Sequence, residues 1–361
     1  MELYEGSLLK EIDAAYIDRK VDTIFWGGGT PGILPAKMLE RIGGMLCGRL
    51  PEPPIEWSVE MAPSTVKVDR LRSLKDLGVN RISLGVQSFQ DNSLEVLGRK
   101  HSKRDVYQAI DLVREIGFEN LNLDLIFGLP NQRVEDWIGD LKEAFGIYPT
   151  HISTYCLTFE DDTPLFIKMK GGQIKAKDDV AEAAFYETTW QFMADNGYLQ
   201  YEISNYAIPG YECLHNENTW RMGEWMGFGP SAATQVNGKR FSNVSSLKDW
   251  LIGFDEGKPR LVEEVSLTQS ILAHDCLIFG FRMNQGVFLE ELSIRFPSVP
   301  LGKLDSLWDK FRDEGLMVDN GGGNILLTPK GRLLADAIAV EISEKFEEAV
   351  EIKSPFSFNI N

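Results

Sequence analysis

Long apolar runs are missing from this chain of 361 residues. No stretch of 18 consecutive apolar residues occurs, so the sequence predicts no membrane-spanning helix. The first six residues, MELYEG, lack the basic and apolar regions of a secretory signal. Cysteine is sparse, and no two cysteines have CxxC spacing, which favours reduced thiols and a cytoplasmic protein. The four cysteines are Cys47, Cys156, Cys213 and Cys276.

Basic residues are too few to balance the acidic ones. The chain has 37 Lys and Arg against 54 Asp and Glu, a formal net charge of −17. Because nucleic acids attract basic surfaces, this balance argues against nucleic-acid binding. The hydrophobic fraction of 43% is ordinary for a globular protein, and the length suggests two domains, or one large domain with an appendage.

A glycine-rich motif after a predicted strand is the main feature of the first half of the chain. Residues 21–26 are mostly apolar and predict a buried strand, which ends at three glycines followed by Thr30 and Pro31. Gly27, Gly28 and Gly29 leave backbone N–H groups uncovered, so a ligand can approach them closely. The alternative is a tight turn that binds no ligand.

Strand and helix patterns then alternate five times, at about 30 residues per unit, which is typical of a parallel α/β fold such as a (β/α) barrel. Polar residues fall at or near the carboxyl ends of successive strands, where such barrels place their active sites. Carboxylates that interrupt apolar strands cost energy unless they have partners. The alternative for each residue is a hydrogen bond to a neighbouring backbone. The strand-end residues are Gly28 to Thr30, Glu60, Gln87, Asp124 and Thr158.

The predicted elements divide the chain into three parts. We expect a partial (β/α) barrel over 1–206, a connecting loop-rich segment over 207–265, and a helical winged-helix-like module over 266–361. The acidic composition favours a structural or lid role for the last part over DNA binding. The predicted strands are 21–26, 55–61, 79–86, 121–127, 151–158 and 198–206; the predicted helices are 5–20, 35–50, 64–77, 103–116, 133–146, 179–196, 267–281, 287–295, 302–314 and 330–346.

Short motifs in order resemble a known family. GGGTP at 27–31, VEMAP at 59–63, GVQSF at 85–89, LGRKH at 97–101 and DLIFGLP at 124–130 are similar to the oxygen-independent coproporphyrinogen oxidase group of radical S-adenosylmethionine (SAM) proteins. HNENTW at 215–220, GFGPSA at 227–232 and the C-terminal module resemble its HemW heme-chaperone branch. The resemblance implies a heme chaperone that binds heme and SAM and delivers heme to acceptor proteins. The alternatives are an oxygen-independent coproporphyrinogen III dehydrogenase and a barrel that binds SAM or another nucleotide without a cluster.

The resemblance also implies a partial (β/α)6 barrel whose first strand is missing, and a set of cofactor-binding residues. Gly28, Gly29 and Thr30 would meet the methionyl part of SAM, and Glu60 would hold the ribose hydroxyls. Arg99 would pair with the SAM carboxylate, although it could instead be a solvated charge in the run RKHSKR. Gln87, Asp124 and Thr158 complete the predicted site. The resemblance assigns no catalytic side chain and is compatible with a homodimer.

One family motif is absent. The CxxxCxxC segment, whose three thiolates hold a [4Fe–4S] cluster in this family, does not occur, and the four cysteines have the wrong spacing to replace it. We therefore predict no metal ligands and no radical activity for this chain. We also expect the natural protein to begin upstream of Met1, with a strand that carries the three cysteines.

His215 is the candidate heme ligand of the chain. It lies in a Trp- and Gly-rich segment, two residues from Cys213, and histidine is a common axial ligand of heme. The alternative is that His215 and Asn216 fasten the segment by hydrogen bonds.

Overall fold

The computed structural model describes residues 1–15, 17, 19–161, 163–321 and 323–350. These residues form two compact units. The first unit contains Met1–Gln200 and Ser204–His215, and the second contains Tyr201–Ile203 and the described residues from Asn216 onward. Among the described helices, none is both long enough and apolar enough to cross a membrane. The predicted division at 206 and 265 stays a prediction, and its last residues, 351–361, lie outside the described part.

A mostly parallel sheet forms the centre of the first unit, and the predicted parallel α/β fold is confirmed. The first five strands pair in parallel in chain order, and the last two add in antiparallel orientation, in the order β1-β2-β3-β4-β5-β7-β6. The strands are β1 (Thr23–Trp26), β2 (Glu56–Met61), β3 (Arg81–Gln87), β4 (Asn120–Phe127), β5 (His151–Cys156), β6 (Leu199–Gln200) and β7 (Asn205–Ala207).

The predicted strand 198–206 is wrong as a single element, because its middle leaves the sheet. The Ile203 N–H donates to the Arg282 carbonyl at 3.1 Å, and the Tyr201 carbonyl accepts from the Asn284 N–H at 2.9 Å. These bonds assign 201–203 to the second unit and split the predicted strand into β6 and β7.

The predicted helices of the first unit are all present, and two of them are shorter than predicted by several residues at one end. The predicted helix 64–77 starts at Val68, because Pro63–Thr65 forms a 3-10 turn. The predicted helix 5–20 ends at Ala14; Tyr16 and Asp18 lie outside the described residues. The helices are α1 (Glu2–Ala14), α2 (Ala36–Arg49), α3 (Val68–Asp76), α4 (Asp91–Val96), α5 (Lys103–Glu115), α6 (Val134–Gly146), α7 (Pro164–Lys170), α8 (Asp179–Asp195), α9 (Leu214–Trp220), α10 (Leu247–Asp255), α11 (Gln269–Gly280), α12 (Leu289–Arg295), α13 (Asp305–Asp313), α14 (Pro329–Leu333) and α15 (Ala335–Val350), and 3-10 turns form at Pro31–Ile33, Pro63–Thr65 and Leu301–Leu304.

The two faces of the parallel sheet differ in chemistry because side chains alternate along each strand. One face is apolar and packs with residues of the surrounding helices in the core of the unit, as Val59, Leu84 and Leu123 do. The other face, which we call the polar face, carries Ser58, Glu60, Arg81, Ser83, Asn122, Asp124, His151 and Ser153. The interiors of (β/α) barrels are usually filled by branched apolar side chains, so this polar face is the exceptional feature of the unit.

The second unit contains two small antiparallel sheets, and part of the predicted loop-like segment is wrong. Asn237 and Gly238 both have positive φ angles and form a two-residue hairpin turn between β8 and β9. Asn-Gly is the strongest short sequence signal for such a turn, and it was present in the sequence. The first sheet consists of β8 (Ala233–Val236), β9 (Lys239–Asn243) and β10 (Leu261–Ser266); the second consists of β11 (Val287–Phe288), β12 (Met317–Asp319) and β13 (Asn324–Leu327).

The C-terminal elements match the predicted module in order. The predicted helices 267–281, 287–295 and 302–314 correspond to α11, α12 and α13. A hairpin formed by β12 and β13 follows α13, and Gly322 between these strands lies outside the described residues. The predicted helix 330–346 is interrupted at Leu334, which separates α14 from α15.

Candidate functional site

The glycine loop after β1 lies against the carboxyl group of Glu60. The Gly28 N–H donates a hydrogen bond to Glu60. A Cβ at Gly27 would lie 2.8 Å from both Cδ and Oε2 of Glu60 and 2.7 Å from a ring carbon of Phe25. A Cβ at Gly28 or Gly29 would meet no atom within 4 Å. Gly27 is therefore required by packing, whereas the next two glycines border open space in which a ligand can reach the backbone.

Asp124 is close to Glu60 and half-buried in a network of hydrogen bonds. Asn122 donates from Nδ2 to Oδ1 of Asp124 at 2.7 Å, and the Ser83 hydroxyl donates to Oδ2 at 3.1 Å. The Asn122 Oδ1 in turn accepts from Nδ1 of His151 at 2.6 Å and from the Ser153 hydroxyl at 3.2 Å. Burial lowers the pKa of His151 well below its usual value, and nearby Arg81 adds to this, so the imidazole is neutral. These strands hold Asp124 in one position.

Burial and charge together make Glu60 unusual. Its pKa is raised to about 7, first because the carboxyl is removed from water and second because Asp124 is close, while the Gly28 N–H and Arg81 act in the opposite direction. Burial also raises the pKa of Asp124, although its hydrogen-bond donors and Arg81 oppose the shift. Arg81 is only 2% exposed, with Nη1 3.5 Å from the Ser58 hydroxyl. It supplies positive charge to both carboxyl groups.

Gln87 ends β3 in a strained conformation that other residues hold in place. Its φ is +68°, and the loop that follows is fastened by Asp140 of α6, which accepts from the Ser88 hydroxyl at 2.7 Å and from the Phe89 N–H at 2.9 Å. Asp140 is fully buried, and burial raises its pKa. In the motif GVQSF, Gln87 is therefore a candidate ligand contact, whereas Ser88 and Phe89 hold the loop in place.

The remaining predicted contacts lie apart from this buried network. Arg99 and Thr158 are exposed, and the Thr158 hydroxyl lies 3.5 Å from the Cys156 carbonyl. His101, two residues after Arg99, is buried, and its Nε2 lies 3.0 Å from the Val86 carbonyl. Thr30 is half-buried and precedes the 3-10 turn Pro31–Ile33. The polar face thus brings together Gly28, Glu60 and Asp124, and the roles of Gln87, Arg99, Thr30 and Thr158 stay predictions.

Sequence reasoning missed four residues that organise this site. Arg81 stands at the start of a strand, where a charged residue is usually solvated, and Asp140 stands on a helix. Asn122 and His151 alternate with apolar residues, so period-two spacing was the signal that could have placed them beside Asp124.

His215 is fastened to the edge of the same sheet. Its Nδ1 lies 3.1 Å from the Thr23 hydroxyl, and its ring stacks on Phe25 with centroids 4.9 Å apart. Glu56 accepts from the backbone N–H groups of Leu214 at 3.0 Å and His215 at 3.2 Å. Burial lowers the pKa of His215, although Glu56 opposes the shift. This geometry fits the alternative interpretation, in which His215 fastens its segment, and its role as a heme ligand stays a prediction.

The four cysteines lie on separate elements of the fold. Cys47 is exposed on α2, Cys156 lies on β5, Cys213 is buried near Glu56, and Cys276 is buried on α11. Within the described ranges, no group of three or more His, Cys, Asp or Glu residues is arranged to hold a metal ion. The thiols of this chain therefore do not fit a [4Fe–4S] cluster, which needs three cysteine ligands in this family.

We predict that Gly27→Ala destabilises the first unit by about 1–3 kcal/mol, because the new methyl group must displace Glu60 and Phe25. Gly29→Ala is the matched control, since its Cβ enters open space at an ordinary φ angle. Chemical denaturation followed by circular dichroism would measure both. Equal stability of the two variants would contradict the packing role of Gly27.

We also predict that Glu60→Gln removes a pH dependence of stability. A carboxyl with an ordinary pKa of 4.5 and a folded pKa of about 7 binds its proton more tightly in the folded state, so stability falls as pH rises from 4.5 to 7. The variant should match the wild type near pH 4.5 and be about 2 kcal/mol more stable above pH 7. Denaturation midpoints across this range would test it, with the exposed Glu95→Gln as control. A constant difference across the range would contradict it.

Comparison with known proteins shows the family of this chain. The model of the radical SAM superfamily matches residues 2–144. The heme chaperone HemW of Bacillus subtilis (strain 168) is 34% identical over 321 residues, covering 88% of this chain and 84% of that protein. HemW of Synechocystis sp. (strain ATCC 27184 / PCC 6803 / Kazusa) is 36% identical over 322 residues, covering 86% and 76%.

Among solved structures, the coproporphyrinogen III oxidase HemN of Escherichia coli, described as a radical SAM enzyme, superimposes with a TM-score of 0.79 at 24% identity. The match covers 94% of this chain and 82% of that chain, and it establishes a shared fold. The family predicted from the five motifs is confirmed by the relatives. Since identity of about one third extends over most of both sequences, this chain belongs to the heme chaperone HemW family of the radical SAM superfamily.

Proposed function

We propose that this protein is a heme chaperone, which binds heme and SAM and passes heme to acceptor proteins. The observation that carries the proposal is that identity to proteins named as heme chaperones covers 88% of this chain, well beyond the segment matched by the superfamily model. The likeness to coproporphyrinogen III oxidase concerns the fold and gives no comparable support to a dehydrogenase function. The proposal places the protein in the cytoplasm, in keeping with its four free cysteines. It involves no nucleic acid, in keeping with the net charge of −17.

The polar face and the glycine loop fit SAM as a ligand. When bound, SAM supplies a sulfonium group flanked by an amino acid and a ribose. Glu60 can accept hydrogen bonds from both ribose hydroxyls, and the open backbone at Gly28 and Gly29 can meet the amino-acid part. The exposed Arg99 is the proposed partner of the carboxylate. Burial raises the pKa of Glu60 to about 7, and the nearby Asp124 adds to this shift.

The iron–sulfur cluster of the superfamily does not fit the residues of this chain. The cluster is part of the cofactor set predicted from the resemblance, but the four thiols do not converge and none of the described residues forms a metal site. The proposed function of this chain is therefore binding and transfer of heme, and no step passes through the cluster.

The SAM site is tested through its pH dependence. We expect SAM affinity to rise up to about tenfold from pH 6 to pH 8, because only the ionised Glu60 accepts from both hydroxyls. Glu60→Gln should bind more weakly at pH 8 and lose this dependence, whereas the exposed Glu95→Gln should behave like the wild type. Equilibrium dialysis with labelled SAM measures all three proteins. Pronounced pH dependence in Glu60→Gln would contradict the assignment.

The chaperone function is tested by titration with hemin and by transfer to an apo heme protein. We expect one heme per chain, seen as a shifted Soret band, followed by loss of heme to the acceptor, and no decarboxylation of coproporphyrinogen III. Size-exclusion chromatography of the heme complex measures whether the protein is the homodimer allowed by the sequence prediction. Failure to bind hemin would refute the proposal, and decarboxylation would favour the dehydrogenase.

The role of His215 is measured in the same titration. We expect His215→Ala to keep the Soret position of the wild type, because Thr23 and Phe25 already hold the ring. A changed Soret position would assign His215 as an axial ligand.

A further inference from the structure

A cavity of about 370 Å³ lies between α11 and α15 of the second unit. Four residues at the end of α11 and just beyond it line one side, and five residues of α15 line the other. Its walls are mainly apolar and include Ile278, Ile338 and Ile342, all at most 5% exposed. The two helices are also joined by a hydrogen bond of 3.1 Å between Nε2 of His274 and the Ser343 hydroxyl. The volume is at the lower end of the range for ligand pockets, about 300–1,000 Å³, so it suits one edge of a large ligand.

The polar part of the cavity consists of a single ion pair. Nη1 of Arg282 lies 3.2 Å from Oδ1 of Asp336, and both residues line the cavity. The Asp336 side chain is 86% exposed, so water competes for its carboxylate and the pair is weak. A carboxylate that arrives with an apolar ligand can therefore take the place of Asp336 beside Arg282.

The surroundings of Arg282 contain more donors than acceptors. Its guanidinium lies 5.2 Å from the centroid of Trp220, and the ring of Trp220 lies 6.0 Å from that of Phe279, another lining residue. The Nε atom of Arg282 and the Nε1 atom of Trp220 are buried without a hydrogen-bond partner within the described part of the chain. Buried donors of this kind are costly, so Arg282 is a poorly satisfied cation beside the cleft. The site thus combines an apolar cleft, aromatic rings and a cation.

We propose that this cleft receives the edge of a heme, with Arg282 exchanging Asp336 for a heme propionate. A heme is a flat apolar ring whose carboxylates lie at one edge, which matches apolar walls with one cation among aromatic rings. The inference rests on the proposed function. It adds where heme binds and that Arg282 pairs with its propionate. A fatty acid shares the chemistry of an apolar body with a carboxylate, and the experiment separates the two ligands.

Filling the cleft is the first test. Ala339 lines the cavity, whereas Ala337 on the same helix is exposed and does not line it, so Ala339→Phe and Ala337→Phe form a matched pair. We expect Ala339→Phe to weaken hemin binding at least tenfold and Ala337→Phe to leave it unchanged, as measured by Soret titration. Circular dichroism and the melting temperature establish that both variants are folded.

Changing the ion pair is the second test, and it does not depend on packing. We expect Arg282→Gln to weaken hemin binding about fivefold to tenfold, while its affinity for hemin dimethyl ester, which has no free carboxylate, matches that of the wild type. Asp336→Asn removes the competing carboxylate from an exposed position and should strengthen hemin binding about threefold. A structural role for the pair would not produce changes of opposite sign.

The outcomes distinguish the two proposals. If the wild type does not bind hemin, the proposed function is wrong and this inference fails with it. If the wild type binds hemin and the Ala339, Arg282 and Asp336 variants bind it equally well, the cleft is not the heme site, although the proposed function stands. If Ala339→Phe abolishes binding of dodecanoate while leaving hemin binding unchanged, the cleft takes a fatty acid and the inference is overturned.

Discussion

The placement of two half-buried carboxyl groups, Glu60 and Asp124, on one face of the sheet is the constraint on which the polar face depends. A parallel sheet that turns a polar face inward must pair each buried charge with hydrogen bonds or an opposite charge. Here the Gly28 N–H supports Glu60, the side chains of Asn122 and Ser83 donate to Asp124, and Arg81 supplies positive charge to both. The site exists because these compensations come from different strands, so it forms only when the sheet is assembled.

Because of this constraint, residues of separate sequence motifs depend on one another. Gly27 is small because the Glu60 carboxyl stands where its Cβ would be, so the first glycine of one motif is required by the acidic residue of another. Gln87 keeps its positive φ because Asp140 holds the following loop through buried hydrogen bonds. Motif residues predicted to contact a ligand and motif residues that hold the loops therefore lie close together in the sequence, as Arg99 and His101 do.

Much of the first unit could be predicted from the sequence because its periodicities are strong. The five parallel strands and their helices have clear apolar patterns, and Glu60 and Asp124 interrupt those patterns visibly. The supporting network could not be predicted, because Arg81 and Asp140 acquire their roles only through tertiary contacts. The split of 198–206 depends on backbone bonds from 201–203 to Arg282 and Asn284, which local propensity does not contain. By contrast, the hairpin at Asn237–Gly238 has a clear local signal, because Asn-Gly favours a two-residue turn between strands.

Membership in a family and possession of its full chemistry are separate conclusions for this chain. Holding a ribose needs an acceptor placed beside an open loop, and Glu60 with the glycine loop provides that arrangement. Holding an iron–sulfur cluster needs converging thiolates, and here the thiols are distributed over α2, β5, α11 and the segment before α9. Carrying heme needs neither arrangement, because an apolar surface with a partner for a carboxylate is sufficient in principle. The residues proposed to bind heme are therefore different from the cysteines that radical chemistry requires.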